Sequence, residues 1–215
     1  MSVTAITLEW TAMARWEPDA RGRLEKAAME LFQERGYVQT TVEEIAARAG
    51  LTERTFFRYF TDKREVLFSG SKELEQGLVD HIASAPADAS ALDAVSAAFE
   101  WAAVFLQERR ELHEVRARWA LVSKHAEIRE RELIKMAALG VAITKALHAR
   151  GVAEPAASLA AEAGLAVFKV GFERWLGEKK PRDFASHVRA AVDALRTIAA
   201  EAPRKKSASR SARAR

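Results

Sequence analysis

The sequence predicts an all-α protein, and three observations carry that expectation. Apolar residues recur at helical spacing along most of the chain, and no alternating strand pattern survives a count. Ten glycines and five prolines in 215 residues leave room for long regular elements. Capping residues stand where the periodic segments begin, as in Thr41 with Glu44, whose side chains can satisfy the free N–H groups of a first turn.

Leu24, Ala27, Ala28, Leu31 and Phe32 repeat at i, i+3, i+4, i+7 and i+8, with Gly36 as a left-handed stop. Val42, Ile45, Ala46 and Ala49 give a shorter helix that Gly50 ends, and Leu51 begins a tight corner. Thr52 caps a third short helix, which Thr61 and Asp62 end near Phe60. A connecting helix is expected from Lys63 to about Ala83, before a break at Pro86–Ser90. Longer helices follow at about 89–107, 110–123, 126–150, 154–177 and 182–202, punctuated by Gly151, by Gly177 with Pro181, and by Pro203. The expected organisation is a flexible arm at 1–18, where Met13 is a second candidate start, and a three-helix domain at 19–66. A helical bundle at 67–203 and a disordered basic tail at 204–215 complete it.

Composition excludes several classes. Cysteine is absent, which removes disulfides, thiolate catalysis and cysteine-ligated metals. The longest uncharged apolar stretch, around Met136 to Thr144, falls far short of the roughly 20 residues of a membrane span. No secretory signal is apparent, because Glu9 interrupts the first apolar residues, so a cytoplasmic location without membrane contact is expected. The net charge is +4, yet Arg204, Lys205, Lys206, Arg210, Arg213 and Arg215 supply six positive charges. Residues 1–203 are left at about −2, so bulk charge does not identify a nucleic-acid binder. The five histidines make no i, i+4 pair, and no nucleophile elbow, phosphate loop or dinucleotide fingerprint is present. No cofactor, metal or catalytic residue is expected, and no enzyme.

The stretch from Thr41 to Lys63 is the informative one. Two short helices meet at a glycine-containing turn, with small Ala46 and Ala49 where they approach, which is a helix-turn-helix at about 42–61. Phe56 and Phe60, four apart, anchor one side of the second helix to the core. Arg54, Phe57 and Arg58 lie on the other side, suited to base edges and a polyanion. Thr41, Thr52 and Lys63 stand at helix starts, where hydroxyl and ammonium groups can meet phosphate.

Gly50 to Lys63, read as GLTERTFFRYFTDK, resembles the recognition-helix signature of the TetR family of bacterial repressors. Phe32 to Tyr37 and Thr40 to Ala46 match the family's first two helices in order and distance, so the resemblance covers about residues 20–68. It implies an all-helical homodimer that binds a double-stranded DNA operator and releases it when a small molecule enters the C-terminal domain. DNA contacts then fall on Thr41, Thr52, Arg54, Thr55, Phe57, Arg58, Tyr59 and Lys63. Two positions depart from the family pattern: Phe57 replaces a usual tyrosine and Thr61 a common proline. The alternative is a nucleoid-type DNA binder whose basic tail dominates affinity.

In the larger domain Trp101, Phe105, Trp119, Met136, Phe168 and Phe172, with Arg116, could line a pocket for an apolar effector with a polar or anionic end. A filled core is the other reading of the same aromatics. The resemblance places the dimer interface on the last two helices. Its candidates are Val167, Val170, Phe172, Trp175, Val188, Val192 and Leu195, so Phe172 stands on both lists.

Overall fold

The computed structural model describes residues 19–200. The arm at 1–18, the second start at Met13, the expected helix end near 202 and the tail at 204–215 lie outside the described residues. The described residues form α-helices and one 3₁₀ turn, with no strand. In chain order they are α1 (Ala20–Arg35), α2 (Val42–Arg48), α3 (Glu53–Tyr59), the 3₁₀ turn Glu65–Phe68, α4 (Ser71–Ser84), α5 (Ala91–Arg109), α6 (Leu112–Lys124), α7 (Ala126–Ala149), α8 (Ala156–Gly177) and α9 (Phe184–Ala200). Contacts divide the chain into two compact units between Ser69 and Gly70.

In the first unit, α1 buries the expected stripe Leu24, Ala27, Ala28, Leu31 and Phe32. Ile45 and Ala46 of α2, Phe56 of α3, Phe60 and Val66 are buried in the same unit. Burying a side chain of the Phe56 or Ile45 kind contributes about 1.5–3 kcal/mol. The connecting helix does not begin at Lys63. The Asp62 carboxylate accepts from the amides of Arg64 and Glu65, which tightens the chain into the 3₁₀ turn, and the helix begins afresh at Ser71.

The second unit is a bundle in which α5 packs on α4, α8 and α9, while α7 packs on α4, α6 and α8. Helices α5, α6, α8 and α9 start two residues later than the sequence spacing suggests, α7 starts where expected, and local caps set the starts of α5, α6 and α9. Ser90 accepts from the Asp93 amide before α5, Glu111 and Glu114 form a capping box before α6, and Asp183 accepts from the Ser186 amide at the start of α9. Gln107 Oε1 accepts from the Phe184 amide at 2.7 Å, so α5 satisfies a further free donor of α9. Cationic side chains do the same for helix ends. Arg150 donates to the carbonyls of Ile82, Ala85 and Pro86 at the end of α4, and Arg116 donates to those of Leu176 and Glu178 at the end of α8.

Close approach of α4 and α5 depends on one glycine. The Trp101 indole lies over Gly77, so that a β-carbon there would stand 1.9 Å from its Cη2 atom. The same ring stacks on His81 at 4.4 Å and meets Phe105 at 5.0 Å. Gly77→Ala should therefore displace the indole and cost about 1–3 kcal/mol, the usual range for overpacking. Chemical denaturation of the variant, with tryptophan fluorescence as a second readout, checks it; unchanged stability would mean the ring moves aside freely.

Candidate nucleic-acid interface

Helix α3 owes its two-sidedness to phenylalanines at positions 56, 57 and 60. Phe56 is completely buried and packs on Phe60 at 5.4 Å, so this face anchors the helix. Phe57 is 53% exposed, held only edge-on to Phe56. Arg54 and Arg58 are exposed on the same outer side as Phe57, while Thr55 and Tyr59 are half-buried at its edges. Arg54 makes no hydrogen bond or ion pair with the described residues. The Arg58 guanidinium lies over the Tyr59 ring at 5.0 Å and donates to its hydroxyl at 3.2 Å.

Helices α2 and α3 have seven residues each, too short to persist without external support. Thr41 Oγ1 accepts from the Glu44 amide while the Glu44 carboxylate accepts from the Thr41 amide, so the expected capping box is complete. Thr52 Oγ1 accepts from the Thr55 amide at the start of α3. Both threonines are exposed, and their hydroxyls meet neighbours as well, Thr41 the Glu44 carboxylate and Thr52 the Thr55 hydroxyl at 3.1 Å. The turn closes as a Schellman motif: the Leu51 amide donates to Ala46 and the Gly50 amide to Ala47, with Gly50 at φ +66°, where a side chain is disfavoured.

Exposed ion pairs brace α2 against α1. Arg48 pairs with both Glu34 oxygens at 2.9 and 2.8 Å, and Arg35 reaches Glu44 at 2.6 Å. The hydrogen bond from Arg48 holds the Glu34 carboxyl below its ordinary value and raises the guanidinium above its own. The hydrogen bond from the Thr41 amide, with help from Arg35, holds the Glu44 carboxyl low.

Lys63 departs from the sequence reading. Its ammonium donates to the carbonyls of Tyr37, Val38 and Thr40 at 2.8, 3.2 and 2.8 Å, and lies 4.5 Å from the Tyr37 ring. Three carbonyls match the three N–H groups of an ammonium, so Lys63 does not present free donors to phosphate here. Arg23 of α1 was not among the sequence candidates, yet it donates to the carbonyls of Ala49 and Gly50 in the turn itself.

Trp101, Met136, Phe168 and Phe172 of the candidate pocket pack against one core cluster, and the aromatic candidates fall into two ring groups. Trp101 stacks on His81 and meets Phe105. Phe168, Phe172 and Trp119 belong instead to a ring cluster about Phe184, in which Phe184 stacks on Trp175 at 4.8 Å and also meets Phe168 and Phe172. Met136 packs on the core from α7, and Arg116 is engaged by the carbonyls at the end of α8 rather than by a cavity. Four interface candidates are also corrected. Val167, Trp175, Val188 and Val192 are buried within the protomer core, because the rings of α8 turn toward Phe184 and α9 packs back on α5. Phe172 points inward too, edge-on to Trp119 at 5.3 Å. Leu195 packs half-buried against the core, whereas Val170 is exposed at 41%. His187, which sequence reasoning passed over, is buried with Nε2 lacking a hydrogen-bond partner, 3.7 Å from the Glu178 carboxylate.

Residues 24–69 match the family model described as bacterial regulatory proteins, tetR family. The HTH-type transcriptional regulator TcmR of Streptomyces glaucescens is 38% identical over 79 residues, which is 37% of this chain and 35% of TcmR. The chain therefore spans about a third of the length of that relative. Among solved structures, the Thermus thermophilus FadR, a TetR-family transcriptional repressor in complex with lauroyl-CoA, is 25% identical with a TM-score of 0.53. That likeness covers 87% of this chain and 98% of the other. SmeT, the repressor of the Stenotrophomonas maltophilia multidrug efflux pump SmeDEF, is 21% identical with a TM-score of 0.52, covering 84% and 89%, and agrees in fold.

Thr41→Ala should destabilise the first unit by about 0.5–2 kcal/mol, the usual cost of a lost N-cap. A carboxyl held low in the folded state, as in Glu44, contributes stability that is present above the unfolded value and lost as pH falls through the folded one. Glu44→Gln should therefore flatten the acid side of the stability profile. Thermal unfolding followed from about pH 3 to 7 checks both variants, and an unaltered acid limb in Glu44→Gln would reject the carboxylate as its source.

Proposed function

We propose that this chain, whose residues 24–69 match the model of the tetR family of bacterial regulatory proteins, is a ligand-responsive DNA-binding regulator. It acts as a homodimeric repressor of a pseudo-palindromic operator. The observation that carries this reading is the outward face of α3: Arg54, Phe57 and Arg58 project together while Phe56 and Phe60 hold the helix to its core. An arginine bridging guanine O6 and N7, beside an aromatic edge against a thymine methyl, is the chemistry of major-groove readout. Two such helices on a two-fold dimer meet successive grooves about 34 Å apart. Thr41, Thr52, Thr55 and Tyr59 supply flanking polar groups.

Release follows from differential affinity. An effector that favours a dimer with wrongly spaced recognition helices lowers operator occupancy by its preference for that state. The effector proposed is an apolar molecule with a polar or anionic end, and what supports it is the aromatic cluster about Phe184 in the second unit. The solved FadR structure, which holds lauroyl-CoA, carries a molecule of that general character. The chemistry of the described residues supports no enzymatic reading.

The burial pattern supports a different dimer surface from the one expected from sequence. Leu159, Ala163, Ala166 and Val170 recur at four, three and four residues along α8, and Leu159, Ala166 and Val170 are exposed. Ala190, Ala194 and Ile198 of α9 are exposed at a similar repeat. Small residues permit close approach of helices, and the large ones supply the apolar area. This face, rather than Trp175 or Val188, is the proposed contact.

Arg54→Ala should cost about 1–3 kcal/mol on the preferred duplex and relax one base preference, with little change on random DNA. Titration by fluorescence anisotropy on both duplexes tests it; equal losses on the two would remove Arg54 as a base reader. Val170→Asp should yield monomers of unchanged helicity, while Trp175→Asp should unfold the protomer by burying an unpaired charge. Sedimentation velocity with circular dichroism separates these outcomes, and intact Val170→Asp dimers would reject the surface.

A further inference from the structure

Helix α2 is held at both ends by cations from other parts of the first unit. At its C-terminal end the Schellman motif leaves the carbonyls of Ala49 and Gly50 without amide donors from the turn. Arg23 of α1 fills that need: Nε donates to the Ala49 carbonyl at 3.0 Å, and Nη2 donates to the same oxygen and to Gly50 at 3.4 Å. A guanidinium here also sits favourably at the negative end of the helix dipole. The fit is close, since a β-carbon on Gly50 would lie 3.1 Å from Arg23 Nη2.

At the other end, the loop before Thr41 carries Tyr37, Val38 and Thr40, whose carbonyls converge on the Lys63 ammonium. The loop is otherwise tied by Thr40 Oγ1, which donates to the Gly36 carbonyl at 2.9 Å, and by Tyr37, buried edge-on to Phe32. Lys63 lies just beyond α3, so its ammonium links the chain leaving the recognition helix to the chain entering α2. Arg23 links the turn between the same two helices to α1.

We infer that Arg23 and Lys63 are positioning residues for sequence readout: together they fix the helix-turn-helix, and Lys63 acts through loop carbonyls rather than as a phosphate anchor. The inference rests on the DNA-binding reading and assigns the two cations within it. A seven-residue helix cannot hold its own direction, so the angle at which α3 meets a base edge depends on these hydrogen bonds. Loss of either should affect contacts that require alignment more than contacts with the diffuse charge of the backbone.

The test uses the full chain, a duplex that it selects from a random-sequence library, and a random duplex of equal length. Arg23→Ala and Lys63→Ala should each weaken the selected duplex about tenfold or more while changing the random one less than about twofold. The salt slope on the selected duplex should stay within about half a unit of the wild type, because no phosphate contact is removed. Arg23→Lys, which keeps the charge but not the forked donors, should fall between Arg23→Ala and the wild type. Amide exchange without DNA should quicken across residues 42–52 in both alanine variants, a readout that is independent of any operator. Equal losses on both duplexes, with the slope reduced by about one unit in Lys63→Ala, would make Lys63 a phosphate anchor and overturn the inference. Unchanged exchange would also overturn it. A wild-type chain that selects no duplex would instead remove the DNA-binding reading, and the exchange data would still decide whether the two clips hold the motif.

Discussion

Backbone carbonyls left over at helix ends are the constraint that most of this structure answers. A helix leaves its last four C=O groups without internal partners, and a buried carbonyl without a donor costs roughly 1–3 kcal/mol. The chain meets the need with long cations brought from elsewhere in the same unit. Arg23 serves the end of α2, Lys63 the loop before it, Arg150 the end of α4 and Arg116 the end of α8. Each places a positive charge among carbonyl oxygens, so Coulomb attraction and hydrogen bonding act together. Each also ties two distant segments, so local satisfaction of the backbone becomes tertiary structure.

Satisfied ends allow short helices, and short helices allow a protruding reader. Helix α3 has only one buried ring within its seven residues, Phe56, with Phe60 just past its end. That small anchor leaves most of the helix surface outside. In the second unit the balance is reversed: α5, α8 and α9 bury long stripes, and ring–ring contacts about Phe184 join α6, α8 and α9. Small side chains make this possible. A β-carbon on Gly164 would stand 2.2 Å from Val95, so α5 and α8 approach where α8 offers only hydrogen.

The helices themselves were legible because their signals are local. Periodicity, Thr41 with Glu44, and Gly50 each act within a few residues, and the outward face of α3 follows from the spacing of Phe56 and Phe60. Inward and outward were not legible on α8, where Leu159, Val167, Val170 and Trp175 surround the axis and no single stripe dominates. Only the presence of Phe184 across the helix pair decides that Trp175 faces inward while Val170 does not. The roles of Arg23, Lys63 and Arg116 were hidden for another reason. Their partners are carbonyls, which every residue carries, so no residue pattern marks them. A lysine beside a recognition helix reads as a phosphate ligand until the loop that it holds is seen.

The two arginines on the outer face of α3 differ in the same way. Arg54 makes no hydrogen bond or ion pair with the described residues, so it can meet a base without first giving up a contact. Arg58 already lies over Tyr59 and donates to its hydroxyl. An exposed cation–π contact is worth about 0.5–1 kcal/mol, and a neutral-acceptor hydrogen bond adds a similar amount. A bidentate arginine–guanine pair is worth about 1–3 kcal/mol of discrimination. For Arg58 the two sides nearly cancel if it must leave the ring, whereas for Arg54 the gain is intact. On the proposed reading, base discrimination on this face therefore belongs mainly to Arg54. Arg58 contributes most where it can reach phosphate while staying stacked, which makes Tyr59 its support rather than an independent contact. The missing hydroxyl at Phe57 sharpens that division, since the ring between the two arginines brings apolar contact and no donor.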